Sequence, residues 1–381
     1  MFTQKQIDLF NKTETPFYFY DLELLKKTLD AIKNAAPKEY HIHYALKANA
    51  HPTLLKLIKD AGMGADCVSG NEVKRAVECG FESSKIVFAG VGKSDKEINY
   101  ALDHSIFCFN AESTHELEIL NLLAGQKNIK ANIALRINPN VDAYTHKYIT
   151  TGLEENKFGI NPYEFDTVLE LLKKLSNLNL IGLHFHIGSQ INDLTPFKNL
   201  CIRVNEINKW FVQKGYLLPH INVGGGLGIN YQQPDTQAIV DFKSYFDVFK
   251  QFLELLPQQQ VHFELGRSVI AQCGNLISRV LYIKHGINTN FAILDAGMTE
   301  LIRPALYQAY HKIENLSSQK KSTIKYDVVG PICESSDCFG KAVELPETSR
   351  GDLIAIRSAG AYGEVMSSQY NLRDKLNSLF I

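Results

Sequence analysis

HIHYALKANAHPTLLKLIKDAGMGADCVSGNEVKRAVECGFESSKIVFAG, residues 41–90, carries one pattern repeatedly. Short apolar or β-branched runs begin at His41 (HIHYAL), Gly64 (GADCVS) and Ile86 (IVFAG). Between them, PTLLKLIKDAG from Pro52 and NEVKRAVECG from Asn71 space their apolar residues as a helix does. Strands alternating with amphipathic helices make βαβ units and a parallel sheet. The pattern continues downstream with IFCFN from Ile106, ANIALRI from Ala131, LIGLHFHI from Leu180, HINVG from His220 and VHFEL from Val261. Eight such strands with helices between them predict an α/β fold built on a closed (β/α)₈, TIM-like barrel.

Past about residue 271 the rhythm changes to LISRVLYIKH, NFAILDAG, IKYDVVG and DLIAIRSAGAYG, strands separated by turns, which predicts a C-terminal β-rich domain of barrel or sandwich type. Upstream, TPFYFY (Thr15–Tyr20) reads as a strand preceding a first helix, DLELLKKTLDAIKNA. It lies outside the barrel's run and is expected to pair with the C-terminal strands. The expected division is residues 1–30 as an N-terminal segment lending a strand to the β domain, 31–270 as the barrel and 271–381 as the β domain. The stretch from Asn138 to Phe158, with a glycine and threonines, is expected to form a lid over the substrate.

Composition narrows the function. Across 381 residues, 40 Lys and Arg stand against 41 Asp and Glu, leaving a net charge of −1 and no positive field for nucleic acid. Hydrophobic residues at 45% and charged residues at 21% suit a packed core. No apolar run approaches a membrane span, and MFTQKQIDLFNK lacks the layout of a secretion signal. Seven scattered cysteines without a C-x-x-C pair suggest thiols in a reducing compartment, and a cytoplasmic location is expected.

Side chains alternate along strands, so Ile42, Tyr44 and Leu46 should face the helices, leaving His43, Ala45 and Lys47 to face inward. The same division turns Gly182, His184 and His186, and later His262, Glu264 and Gly266, towards the barrel axis. Barrel enzymes work at the C-terminal ends of their strands, which selects Lys47, His186 and Glu264. A lysine buried there is pushed towards its neutral, nucleophilic form; the plainer alternatives are that it reaches solvent or pairs with Glu264. The run INVGGGLG after the seventh strand suits a phosphate contacted by backbone N–H groups. It is no dinucleotide fingerprint, because Ile229 stands where the last glycine belongs. His184 and His186 form an H-x-H on one face, and Cys333 and Cys338 are close in sequence. Neither pair gains a further ligand from spacing, so no metal is expected.

Seven segments then follow in order: HYALKAN around Lys47, HIGSQ from His186, GGGLG from Gly224, ELGRS from Glu264, RPALYQAYH from Arg303, GPICESSD from Gly330 and GAYGEVMSSQYN from Gly360. Together they resemble the fold-type III pyridoxal-phosphate-dependent decarboxylases, from about residue 15 to the C-terminus. The resemblance implies an alanine-racemase-like pairing of barrel and β domain, with pyridoxal 5'-phosphate as cofactor. By position, Lys47 would be the lysine joined to the cofactor, His186 would stack on its ring and Glu264 would keep the pyridine nitrogen protonated. Ser189, Gly225, Gly226, Gly266 and Arg267 would surround the phosphate, and Tyr362 would touch the cofactor. Cys333 resembles the family's proton donor, delivered from a partner subunit, which implies a homodimer with a shared active site.

The same resemblance implies an amino-acid substrate and places Arg267, Arg303 and Tyr307 at a distal carboxylate and Glu334 and Ser335 at a distal ammonium, with Tyr362 beside them. A substrate bearing both groups, meso-2,6-diaminopimelate, gives such arginines a reason that ornithine does not. The expected reaction is its decarboxylation to L-lysine, the last step of lysine biosynthesis. The alternatives are a polyamine-pathway decarboxylase of carboxynorspermidine or ornithine type, a racemase of similar barrel, a non-catalytic relative, and a metal-dependent barrel hydrolase built on His184 and His186. One departure is Leu265, where the family's E-P-G-R segment has proline; local backbone effects and unchanged chemistry are expected.

Overall fold

The computed structural model describes residues 2–141 and 157–381. Most of the expected lid, 142–156, therefore lies outside the described residues. Strand β1 (Phe17–Tyr20) comes first. It is followed by β2 (Tyr40–Ala45), β3 (Gly64–Cys67), β4 (Ile86–Phe88), β5 (Cys108–Ala111), β6 (Ala131–Arg136), β7 (Leu178–His184), β8 (His220–Asn222) and β9 (Gln260–Leu265). These eight close into a parallel barrel in which β9 returns to pair with β2, Glu264 lying opposite His43. Seven further strands are β10 (Gly274–His285), β11 (Asn290–Leu294), β12 (Ile313–Asn315), β13 (Thr323–Val329), β14 (Cys338–Pro346), β15 (Leu353–Ile356) and β16 (Asn377–Phe380).

The chain divides into two compact units. One is Leu29–Gly228 with Asp241–Arg267, the barrel; the other is Met1–Thr28, Ile229–Val240 and Ser268–Ile381. The segment Ile229–Val240, inside the range read as barrel, groups with the sheet unit instead. Its Asp235 takes a paired contact from Arg357, and Asn230 and Gln237 give carbonyls to Gln272.

Barrel helices start where small polar residues follow strands. Ser69 Oγ accepts from Glu72 N and Ser113 Oγ from Glu116 N, while His51 caps a helix that has proline in its first turn. Each cap satisfies an amide that the first turn leaves without an intrahelical partner. Leu54, Leu55 and Ile58 then bury one stripe of Pro52–Asp60, each side chain contributing about 1.5–3 kcal/mol on burial.

Inside the barrel, the layer nearest the N-terminal ends of the strands is imidazole. His43 Nε2 and His262 Nδ1 are 3.0 Å apart, His262 Nε2 and His220 Nδ1 are 3.0 Å apart, and His43 Nδ1 donates to Lys85 O. The chain of bonds lets buried His43 and His262 and half-buried His220 satisfy one another without charge. This layer supports the polar layer above it, which holds Glu264.

In the sheet unit, β1 pairs antiparallel with β10 and parallel with β16. Helix Gln4–Lys12, capped by a Thr3–Gln6 box, precedes it and buries Phe10 against Phe17 and Phe19. This helix corrects the reading that placed the first helix after β1. The remaining order is β12-β15-β10-β11-β13-β14. No described helix is long and apolar enough to cross a membrane.

Candidate active site

Four strand ends of the barrel converge on one carboxylate. Glu264 Oε1 accepts from Asn222 Nδ2 at 2.8 Å and Asn110 Nδ2 at 3.3 Å, and Oε2 lies 3.0 Å from His184 Nε2. Burial by itself would raise the Glu264 carboxyl. The His184 ring beside it, the Lys47 charge and these bonds outweigh burial and hold it below the usual carboxylate range. Glu264 is therefore an anion enclosed by hydrogen-bond donors.

Lys47 lies just beyond β2, in the short 3₁₀ turn Leu46–Ala48, so the strand ends before the lysine that was read as its last residue. Its Nζ is 3.9 Å from Asp66 Oδ2 at the end of β3, and its side chain is 38% exposed while that of Asp66 is fully buried. Asp66 is an ion-pair partner of Lys47, Glu264 also feels the Lys47 charge, and the amine is only partly withdrawn from solvent. Burial, reinforced by the charge of Glu264, pushes the Asp66 carboxyl upward, with Lys47 opposing. Two nearby carboxyl groups are thus driven apart, Glu264 towards the anion and Asp66 towards the acid, a separation that suits different roles in one reaction.

His186, just past β7, accepts a hydrogen bond from Gly225 N at Nδ1, 3.3 Å away, which leaves the ring proton on Nε2. Burial, then the charges of Lys47 and Arg136, push its pKa well below the usual imidazole value, so the ring is neutral. Arg136 is fixed by a 2.8 Å ion pair with Glu112, whose carboxylate also receives the amides of Gly90 and Gly159.

Lys47, Asp66, Arg136, His184, His186 and Glu264 all line one cavity of about 390 Å³, walled also by Val68, Ala89, Val91 and Phe158. The glycine turn lies alongside. A Cβ on Gly225 would stand 1.9 Å from the carbonyl oxygen of Glu264, and Gly224 and Gly226 have left-handed φ of 71° and 104°. Arg267 Nη2 donates to Ser189 Oγ at 2.9 Å, so those two predicted phosphate residues meet. Gly266 is buried at the end of β9. Leu265, in place of the family's proline, is buried opposite Tyr44.

Pyridoxal phosphate fits this arrangement. Among the described residues, both Asp66 oxygens and His184 Nδ1 are buried without a hydrogen-bond partner, an expense a bare protein core avoids. The cavity holds an amine for an aldehyde, an anion for a pyridinium and a neutral flat ring. By contrast, His184 and His186 are engaged with Glu264 and Gly225, and no three potential metal ligands cluster among the described residues.

The other predicted residues belong to the sheet unit. Arg303 begins the one-turn helix Arg303–Tyr307; it is buried, with Nε 3.3 Å from His311 Nε2 and its guanidinium 5.6 Å from the Tyr231 ring centre. Tyr307, at the end of that helix, is half-buried. Tyr362 has a left-handed φ of 57°. Cys333, Glu334 and Ser335 stand exposed at the tip of a loop between β13 and β14. All seven cysteines are free thiols.

Sequence reasoning missed Asp66, Asn110, Asn222 and Arg136. Each is a polar residue at the last or next-to-last position of a barrel strand (GADC, CFNA, HIN, IALR), so the rule that selected Lys47 finds them when applied to every strand.

Residues 22–271 match the family described as pyridoxal-dependent decarboxylase, pyridoxal binding domain. The chain is 58% identical over 370 residues to a diaminopimelate decarboxylase of Bacteroides thetaiotaomicron, covering 97% of this chain and 96% of that one. A crystal structure of diaminopimelate decarboxylase from Helicobacter pylori complexed with L-lysine superposes with a TM-score of 0.93 at 42% identity, covering 99% and 94% of the two chains. A lysine/ornithine decarboxylase from Vibrio vulnificus complexed with putrescine has a TM-score of 0.86 at 21% identity, covering 100% and 99%, a likeness of fold alone.

Proposed function

The chain belongs to the pyridoxal-dependent decarboxylases, and from that premise we propose that it converts meso-2,6-diaminopimelate to L-lysine and carbon dioxide. The carrying observation is identity of 58% extending over 97% of the chain to a relative with that activity in its name. Lysine bound in the Helicobacter pylori relative agrees with lysine as the product.

Pyridoxal phosphate, once bound, supplies an electron sink for the pair left when the carbon–carboxylate bond breaks. Lys47 Nζ is the amine that would hold it, and Ser189, Gly225, Gly226, Gly266 and Arg267 would take its phosphate. Glu264, kept anionic by its surroundings, would hold a proton on the ring nitrogen, while neutral His186 would stack on the ring without adding charge. Asp66, 3.9 Å from Lys47 Nζ, would hold the proton the amine sheds. Arg267, Arg303 and Tyr307 would orient the distal carboxylate, Glu334 and Ser335 the distal ammonium, and Tyr362 would border both substrate and cofactor. Cys333 Sγ would give a proton to the carbon that has lost carbon dioxide.

Exposure of Cys333, Glu334 and Ser335 at one loop tip supports their delivery to a partner's site, hence a homodimer. Free thiols throughout support a reducing, cytoplasmic location. The test is lysine and carbon dioxide formation with pyridoxal phosphate present, comparing meso-2,6-diaminopimelate, carboxynorspermidine and ornithine. Diaminopimelate should be preferred by orders of magnitude; preference for ornithine would overturn the substrate assignment.

A further inference from the structure

The loop 330–337 has a fixed base and a charged, exposed tip. At the base, buried Asp337 accepts from Met298 N at 2.6 Å and Ile332 N at 2.7 Å, and its carbonyl accepts from Gly330 N at 3.1 Å. A Cβ on Gly330 would stand 2.4 Å from both Asp337 Oδ2 and Gly297 Cα, so the base is closely packed. At the tip, the Glu334 carboxylate is held at both oxygens: Tyr370 OH donates to Oε1 at 2.8 Å and Ser336 Oγ to Oε2 at 3.2 Å. Next to it, Cys333 N donates to Asn371 Oδ1 at 3.3 Å, from a residue with left-handed φ of 53°.

Both donors to Glu334 are neutral. Among the described residues the carboxylate makes no ion pair, although exposed acids elsewhere in the chain commonly do, as Glu82 with Lys85 and Glu347 with Lys320. Freezing a glutamate rotamer costs side-chain entropy that an exposed hydrogen bond barely returns to stability. An ordered anion without a cation instead lowers the ordering cost of binding a cation later. Asn371, the residue after Tyr370, holds the neighbouring thiol-bearing residue through its amide.

Resting on the diaminopimelate reading above, we infer that Tyr370 is a specificity-determining positioning residue, with Asn371, presetting the Glu334 carboxylate for the substrate's distal ammonium and fixing the backbone of Cys333. The bond to Glu334 also raises the Tyr370 pKa, so the phenol remains a donor through neutral pH.

The experiment is a double-mutant cycle on the holoenzyme. Tyr370→Phe removes the hydroxyl and keeps the ring, and it should raise KM for meso-2,6-diaminopimelate about tenfold with kcat changed less than about twofold. In a Glu334→Gln background, the same substitution should have no further effect on KM. A KM unchanged by Tyr370→Phe, or an effect that persists in full beside Glu334→Gln, overturns the inference. Wild-type turnover of diaminopimelate separates this outcome from failure of the substrate reading. A second measurement does not depend on turnover: Asn371→Ala should speed amide hydrogen exchange in a peptide spanning 332–337, and unchanged exchange there contradicts the hold on Cys333.

Discussion

At the scale of single residues, one strand-end carboxylate sets the electronic character of the site. Glu264 stays ionised despite burial because His184, Asn110 and Asn222 present donors from separate strands and Lys47 adds a nearby charge. Glu264→Gln keeps the size and most of the bonds but removes the charge that would hold the ring proton. It should lower kcat by on the order of 10²–10³-fold in steady-state lysine formation while cofactor absorbance is retained. A loss under tenfold would mean the acid only positions the ring. Lys47, His186 and Glu264 were legible because a strand's alternation and a barrel's working face together single them out. Asp66 was harder to read, since a short GADC strand looks apolar, and its importance rests on a 3.9 Å approach to Lys47 across neighbouring strands.

At the scale of elements, the glycine turn and the imidazole layer make separate demands. Gly225→Ala drives a Cβ into the Glu264 carbonyl, a backbone atom that cannot swing away. A destabilisation of about 1–3 kcal/mol or more should follow, with weaker retention of pyridoxal phosphate, read by urea unfolding and by cofactor absorbance after dialysis. Unfolding and absorbance matching wild type would show that the turn has slack. Burial lowers His43 and His220 to about 4, and lowers His262 further. Their folded pKa values lie below the unfolded value near 6.5, so the unfolded chain takes up more protons in between. Stability is therefore full above about pH 6.5 and declines as pH falls towards 4. His43, which is fully buried, should alone cost about 2 kcal/mol at pH 5. Urea midpoints that coincide at pH 7.5 and pH 5 would contradict the buried, uncharged layer. The elements that escaped sequence reading share a cause. Helix Gln4–Lys12 buries only Phe10 and so carries a short apolar stripe, and β14 alternates weakly because much of it is exposed. Barrel strands, covered by helices on one face and packed inside on the other, advertise themselves.

For the whole molecule, the closed barrel and the sheet unit were both visible in the change of rhythm near residue 271, whereas the allegiance of Ile229–Val240 was not. That allegiance depends on Arg357 reaching Asp235, a pair 122 residues apart that no local pattern reveals. Assembly carries its own prediction. If Cys333 serves a partner's site, Lys47→Ala and Cys333→Ala subunits, each inactive alone, should regain about a quarter of wild-type activity after mixing and exchange, because half the dimers then hold one intact site. No recovery in a mixture shown to contain hybrid dimers would place donor and lysine in the same subunit's service. The central claim is that Lys47 carries the cofactor. Borohydride reduction of the holoenzyme followed by peptide mass spectrometry tests it most directly: the phosphopyridoxyl mass should appear on the peptide containing Lys47, and its appearance on another lysine, or on none, would contradict the account.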